Sequence, residues 1–305
     1  VTDAPPFRAY GYDAGFGTYE SPEPHPDLTA TNWIWSPHDL VKRWDRTRWM
    51  VDRTLDFVRA DSAKPAFVNL WLDDPHTPWV PSEEVMAQRG PQFQAKANLR
   101  KVLIEMDRQI GRMLAEIRAL KSDRPTLVIF MSDNGPMPTF NQTRTSGLKG
   151  SKLSLYEGGI RVPMIAWWPG KVPANRVDES TVFSSLDLFP TFAGLAGAPI
   201  HSGLGLEGKN LSEALFGRPI ERATPLFWEY GRNNDSFNYP PNDNRSPNVA
   251  MREGPWKLLV QRDGTGAELY NLGRDPEEKY DLAREEAERV QRMKAAALQW
   301  RNALP

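Results

Sequence analysis

The 305-residue sequence predicts an α/β fold: a mostly parallel sheet flanked by helices, then a small C-terminal antiparallel sheet with one packing helix. Three observations predict it. Residues 66–72 and 126–131 are short, nearly continuous apolar runs, the pattern of strands buried on both faces. Each follows a segment with helical apolar spacing, and helix–strand alternation implies right-handed crossovers into a parallel sheet. Past about residue 216 the runs become shorter and follow one another through turns, as in an antiparallel sheet.

The elements follow in order. Residues 1–40, with Tyr10-Gly11-Tyr12-Asp13 and Asn32-Trp33-Ile34-Trp35, are rich in Pro, Gly and aromatics and read as irregular loop. Trp44, Met50, Val51, Leu55 and Val58 mark a helix over 44–60, which Lys64-Pro65 ends before the run at 66–72. Leu99, Val102, Leu103, Met106, Ile110, Met113, Leu114, Ile117 and Leu120 mark the clearest helix, and the strand at 126–131 follows Asp123-Arg124-Pro125. Residues 164–168 predict a further strand, and Ser185 starts a short helix ending near Gly194–Gly197. Residues 226–230, 249–252, 256–260 and 268–270 predict four short strands, with Arg262-Asp263-Gly264 as one turn and a charged helix over 284–300 closing the chain. The division expected is 1–216 for the larger part and 217–305 for a small α+β subdomain.

Composition narrows the function. With 38 Lys+Arg against 39 Asp+Glu, the net charge of -1 offers no broad field for nucleic acid or an anionic membrane. No apolar run approaches the roughly 18 residues needed to span a bilayer. Zero cysteines exclude disulfides, zinc–thiolate sites and cysteine catalysis within these residues.

Both runs end in polar, Pro/Gly-containing segments, and ligand sites in parallel sheets lie past the carboxyl ends of strands. In Ser132-Asp133-Asn134-Gly135-Pro136, Asp133 and Asn134 present adjacent hard oxygens suited to Ca²⁺ or Mg²⁺; the same residues would also serve as an Asx turn ending a strand. His76, between Pro75 and Pro78, suits a donor to an anionic group or a proton carrier, or a loop histidine held by a backbone contact. Asp73-Asp74 stays outside the site, because neighbouring strand side chains point to opposite faces. Lysines in Gly147-Leu148-Lys149-Gly150-Ser151-Lys152 can meet an oxyanion or simply be solvated, and Glu157-Gly158-Gly159 reads as a tight turn needing positive φ.

The order His-x-Pro, Asp-Asn-Gly-Pro, Gly-x-x-Lys and Tyr156-Glu157-Gly158-Gly159-Ile160-Arg161-Val162-Pro163 resembles the type I sulfatase family. Tyr10-Gly11-Tyr12-Asp13 near the start, and Arg252-Glu253-Gly254-Pro255-Trp256-Lys257, Glu268-Leu269-Tyr270-Asn271-Leu272 and Asp275-Pro276-Glu277-Glu278 near the end, extend the likeness over nearly the whole chain. The resemblance implies an alkaline-phosphatase-like α/β core, sulfate-ester hydrolysis and one divalent cation, Ca²⁺ ahead of Mg²⁺. It carries Asp133 and Asn134 over as metal ligands, and His76 and Lys152 as contacts to the substrate sulfate, with Lys149 out of register. The family's nucleophile is a formylglycine made from the Cys or Ser of a Cys/Ser-x-Pro-x-Arg segment, and no such segment is present here. Its Asp-Asp metal pair and Lys-x-His pair are also missing. The expectation is an N-terminally truncated sulfatase, inactive by itself, with the formylglycine upstream. The expected substrate is a sulfated carbohydrate or an aryl sulfate, in a periplasmic or secreted setting, with no nucleic-acid or membrane partner. Trp33, Trp35 and 228–234 could stack on a sugar or simply pack loops. Phosphate or phosphonate ester hydrolysis, and a non-catalytic glycan-binding chain, are the alternatives.

Overall fold

A computed structural model describes residues 5–17, 23–28, 39–60, 64–88, 94–120, 125–231 and 244–304. The backbone divides into two compact units, Val1–Arg124 and Pro125–Pro305.

In the first unit, α1 (Arg46–Ala60) packs on α3 (Lys96–Ala119), and the short α2 (Glu83–Gln88) lies between them in sequence. Val51 and Leu55, one turn apart, meet Met113, with Leu70 and Ile117 against them. On α3 the buried stripe runs Leu99, Val102, Met106, Gln109, Met113, a spacing of three and four that aims one face inward. Leu103 falls outside that stripe and is exposed. Arg112 bridges to Asp52 at 2.6 Å and to Glu116 at 3.1 Å, joining the two helices along the rim of their contact.

Residues 66–72 are not the strand expected of them. They pair with no strand among the described residues, and Phe67 and Trp71 are exposed. A strand is a ladder between segments. Apolar composition marks a segment for burial but cannot supply its partner.

In the second unit, β1 (Val128–Met131) pairs with β2 (Met164–Trp167), Val128 opposite Trp167 and Met131 opposite Met164. The pairing is antiparallel; the parallel neighbours that the sequence suggested were 66–72 and 126–131, with 164–168 left without a partner direction. The antiparallel pairing places the end of β1 beside the start of β2, so residues 132–163 form one long excursion from a single end of the pair. That excursion holds α4 (Glu157–Ile160). Next comes α5 (Leu188–Ala196), introduced by a capping box between Ser184 and Asp187 and ended by Gly197 at φ 65°. The short α6 (Ser212–Leu215) follows.

The expected C-terminal sheet forms as β3 (Leu226–Glu229), β4 (Val249–Glu253), β5 (Trp256–Val260) and β6 (Glu268–Asn271), an antiparallel meander in that order. Alternation divides its side chains between two buried faces. Val249, Met251, Leu258, Val260 and Leu269 pack on Val290, Met293 and Ala297 of α7 (Ala287–Ala303). Ala250, Leu259 and Tyr270 pack instead on Leu155 and Tyr156, just ahead of α4. One face of the sheet therefore holds its own helix, and the other holds the excursion from β1.

Candidate functional site

The chain leaves β1 through Ser132-Asp133-Asn134-Gly135-Pro136, and this exit is locked onto the segment 149–159 by backbone alone. Gly135 N–H donates to Gly159 O at 2.8 Å and Lys152 N–H to Pro136 O at 2.8 Å, while Gly158 N–H donates to Lys149 O at 2.7 Å within the segment itself. The glycines permit this approach. A Cβ on Gly135 would lie 1.9 Å from Gly158 O, and one on Gly159 would lie 2.1 Å from Ser154 O. The sequence suggested positive φ as the reason for Gly158-Gly159. Both instead sit in α4 with φ outside the left-handed region, and close packing of backbone is the reason.

Asp133 is exposed and its Oδ1 accepts from the N–H of the next residue, Asn134, at 2.9 Å, whereas the Asx turn the sequence allowed would take the N–H two residues on. Asn134 Nδ2 donates to Gly135 O at 3.0 Å, which orients the amide and leaves its oxygen as the other end. The donor set is two adjacent hard oxygens on a rigid loop, which fits part of a Ca²⁺ or Mg²⁺ shell. Among the described residues no group of three or more His, Asp or Glu is placed to hold an ion, so the remaining ligands are not in view.

Lys152 occupies the corner of a turn in which Ser154 N–H donates to Ser151 O at 3.0 Å. The next residue, Leu153, is held at φ 72°, a left-handed conformation costly for a leucine. Leu155 N–H then donates to Ser246 Oγ at 2.8 Å. Lys149 points elsewhere: its Nζ lies 4.0 Å from the Tyr156 ring centre, donates to Tyr270 Oη at 2.9 Å and is 3.7 Å from Glu268. Both tyrosine hydroxyls donate to Glu268, and burial, with the Glu268 charge, raises their pKa so that they stay protonated.

Behind α4 lies a buried charge triad. Lys257 Nζ donates to Glu157 Oε1 at 2.8 Å and is 2.9 Å from Glu278 Oε1, while Glu157 N–H donates to Glu278 Oε2 at 2.6 Å. Lys257 is fully buried. Burial works to raise the Glu157 carboxyl, but Lys257 outweighs it and holds the group below the ordinary range. Burial raises the Glu278 carboxyl, with a smaller push from the Glu157 charge, and outweighs the pull of Lys257 and of the Glu157 N–H bond.

His76 stands in the first unit. Its N–H donates to Asp73 O at 3.0 Å, and its Nδ1 is 2.7 Å from Thr77 O. Arg43 Nη2 donates to both Asp73 O (2.7 Å) and His76 O (3.1 Å), and fully buried Trp79 donates to Pro75 O at 3.0 Å. Asp73 and Asp74 belong to an ion-pair cluster with Arg43 and Arg46, which also pairs with Asp39 at 3.0 Å. Asp74 is pushed up to about 6, chiefly by burial, although Arg43 and the Thr47 hydroxyl bond pull it down. These acids support the His76 loop. Trp33, Trp35 and 232–234 lie outside the described residues.

Residues 8–198 match the family described as Sulfatase, more than half of the chain. The chain belongs to the sulfatase family. Residues 151–302 of this sulfatase chain also match the family described as N-sulphoglucosamine sulphohydrolase, C-terminal. An N-acetylgalactosamine-6-O-sulfatase of Bacteroides thetaiotaomicron is 25% identical over 288 residues, 85% of this chain and 50% of the relative. Human arylsulfatase A is 34% identical over 205 residues, 59% of this chain and 38% of the relative. A Bacteroides thetaiotaomicron protein solved in work on glycosaminoglycan metabolism has a TM-score of 0.65 at 23% identity, covering 84% of this chain and 54% of that one. That likeness shows the α/β, alkaline-phosphatase-like fold. The chain spans about half the length of the first of these relatives.

Sequence reasoning missed the triad in this sulfatase chain. Glu157 and Lys257 are 100 residues apart, and Glu157 and Glu278 are 121 apart. Each reads locally as an ordinary surface charge. The signal available was that Lys257 sits within an otherwise apolar strand, Trp256–Val260.

Proposed function

We propose that this chain supplies part of the metal site and the sulfate-contacting cations of a sulfate-ester hydrolase. The observation that carries the reading is the backbone lock between the β1 exit and segment 149–159, closed by Lys152 N–H on Pro136 O at 2.8 Å. It puts two hard oxygen donors and a lysine on adjoining, rigid loops. Asp133 and Asn134 would hold the cation, Ca²⁺ ahead of Mg²⁺. When bound, that cation supplies Lewis-acid polarisation of a sulfuryl oxygen. Lys152 donates to a second sulfuryl oxygen and His76 is the further donor. Charge builds on those oxygens as the ester bond breaks, so fixed donors bind the transition state more tightly than the ground state. The nucleophile, a formylglycine in this reading, is not among these 305 residues.

The substrate class is a sulfated carbohydrate, as the name of the Bacteroides relative supports, with aryl sulfates as reporter substrates. The setting is periplasmic or secreted, and no helix among the described residues is long and apolar enough to cross a membrane.

The test is sulfate release from N-acetylgalactosamine-6-sulfate and 4-nitrophenyl sulfate by the full-length gene product, before and after EDTA treatment. Activity that is lost with EDTA, restored by Ca²⁺ and reduced about 100-fold or more in Lys152→Ala is expected. Cleavage of phosphate esters in preference to sulfate esters would move the reading to phosphoryl transfer. Binding of the sulfated sugar with no turnover would leave a glycan-binding chain.

A further inference from the structure

The segment that carries Lys152 is fastened on both sides to the C-terminal sheet, by two different polar networks. Three residues before it, Lys149 reaches Tyr270 Oη at 2.9 Å and Glu268 at 3.7 Å, both on β6. Five residues after it, Glu157 reaches Lys257 of β5 at 2.8 Å, and its own N–H reaches Glu278 at 2.6 Å. Between the two anchors, Leu155 and Tyr156 pack on Ala250, Leu259 and Tyr270 of the same sheet face. Leu153 holds a left-handed φ of 72°, a conformation that persists only where its surroundings over-determine it.

A buried ammonium between two carboxylates is a poor device for stability, since an apolar trio of the same volume often does as well. It is a good device for register. Lys257 satisfies both acids only when α4 sits at one height over β5, and Arg161, 3.9 Å from Glu157 Oε2, completes the charges around the group.

We infer that the C-terminal sheet presets the Lys152 turn, and that Lys257, through Glu157 and Glu278, is a positioning residue for that lysine. The inference rests on the reading of Lys152 as a sulfate contact. The small subdomain thereby acts on the chemistry without touching substrate.

A mutant cycle in the full-length gene product tests this. Lys257→Met lowers kcat on 4-nitrophenyl sulfate by roughly 10- to 100-fold, with KM within about twofold, because a displacement of about 1 Å at a donor is enough for such a loss. In the Lys152→Ala background the same change costs less than about threefold, since residues acting as one unit are not additive. Amide hydrogen exchange across 149–160 speeds up at least tenfold, by roughly the loss of local protection, while β3–β6 keep theirs. Equal losses from Lys257→Met in both backgrounds overturn the inference and leave the sulfatase reading standing. Should Lys257→Met not fold, Glu278→Gln takes its place, keeping an acceptor for the Glu157 N–H while unbalancing the charges, with the same non-additive pattern expected. Should the parent protein hydrolyse no sulfate ester, the functional reading fails, and the exchange measurement decides the inference separately: faster exchange confined to 149–160 supports it, and unchanged exchange, or loss spread through the sheet, overturns it.

Discussion

Gly135→Ala probes whether the two site loops are held by backbone packing. The added Cβ would lie 1.9 Å from Gly158 O and 2.9 Å from Gly159 Cα, so the strand exit must retreat about 1.1 Å to reach the 3.0 Å that Cβ atoms keep in folded proteins. Gly158 cannot yield, because its own Cα faces Lys149 O and Gly150 O, each 2.6 Å from where a Cβ would stand. The retreat therefore stretches the two bonds that cross the contact, Gly135–Gly159 and Lys152–Pro136. At about 1 kcal/mol net for each bond, with about 1 kcal/mol or more of overpacking, the expected destabilisation is about 3 kcal/mol. Gly111→Ala is the control. It sits in the interior of α3 with nothing within 4 Å of a new Cβ, and a gain of about 0.5–1 kcal/mol is expected. Urea unfolding followed by circular dichroism measures both. A Gly135→Ala protein within about 1 kcal/mol of the parent, at an unchanged m-value, would show that the loops are not locked as described.

Asp74 binds its proton up to about pH 6 when folded, against an ordinary 3.8. Between those values the folded state holds a proton that the unfolded state has released, so its contribution to stability declines as pH rises through the window, by roughly 3 kcal/mol, and is level above it. Asp74→Asn flattens that decline; parallel curves for parent and variant between pH 4 and 7 would contradict the assignment. Arg46→Met removes the buried ion pair of Asp39 and one of the two held by Asp73, which keeps Arg43 at 2.7 Å, and a loss of about 3–5 kcal/mol in denaturant titration is expected; a change below about 1 kcal/mol would mean that the cluster is solvated. Met293→Ala opens a cavity at a fully buried position between α7 and the sheet, for about 2–5 kcal/mol, and should lower the unfolding midpoint without altering the 149–160 loop.

Much of the fold was legible in the sequence where periodicity was strong. Val51 and Leu55, and the Leu99–Met113 stripe, announced their helices. Trp256–Val260 formed over the residues expected of a strand, and the other three C-terminal strands differ from expectation by one residue at an end. Ser185 and Gly197 were read as the bounds of the helical stretch that holds α5, and the Ser184–Asp187 capping box that introduces it came only with the structure. Residues 66–72 were misread because apolar content predicts burial and says nothing of a hydrogen-bonding neighbour. The antiparallel pairing of β1 with β2 was equally invisible, since both partner directions bury the same residues.

For the site, the residue types at Asp133, Asn134, His76 and Lys152 allowed ligand roles or ordinary loop roles, and it was their order, through the resemblance to sulfatases, that implied sulfate-ester chemistry. Gly135, Gly158 and Gly159 all stand in the motif, and the sequence explained Gly158 and Gly159 by the wrong cause, positive φ. Only the tertiary structure showed that these glycines let backbone meet backbone, and that Lys149, already out of register in the resemblance, lies over the Tyr156 and Tyr270 rings. Only it joined Glu157 to Lys257 and Glu278 across 100 residues and more. Periodicity and caps are local, set within a few residues along the chain. A buried ion triad is set by which surfaces the fold brings together, and no short stretch of sequence carries that distance.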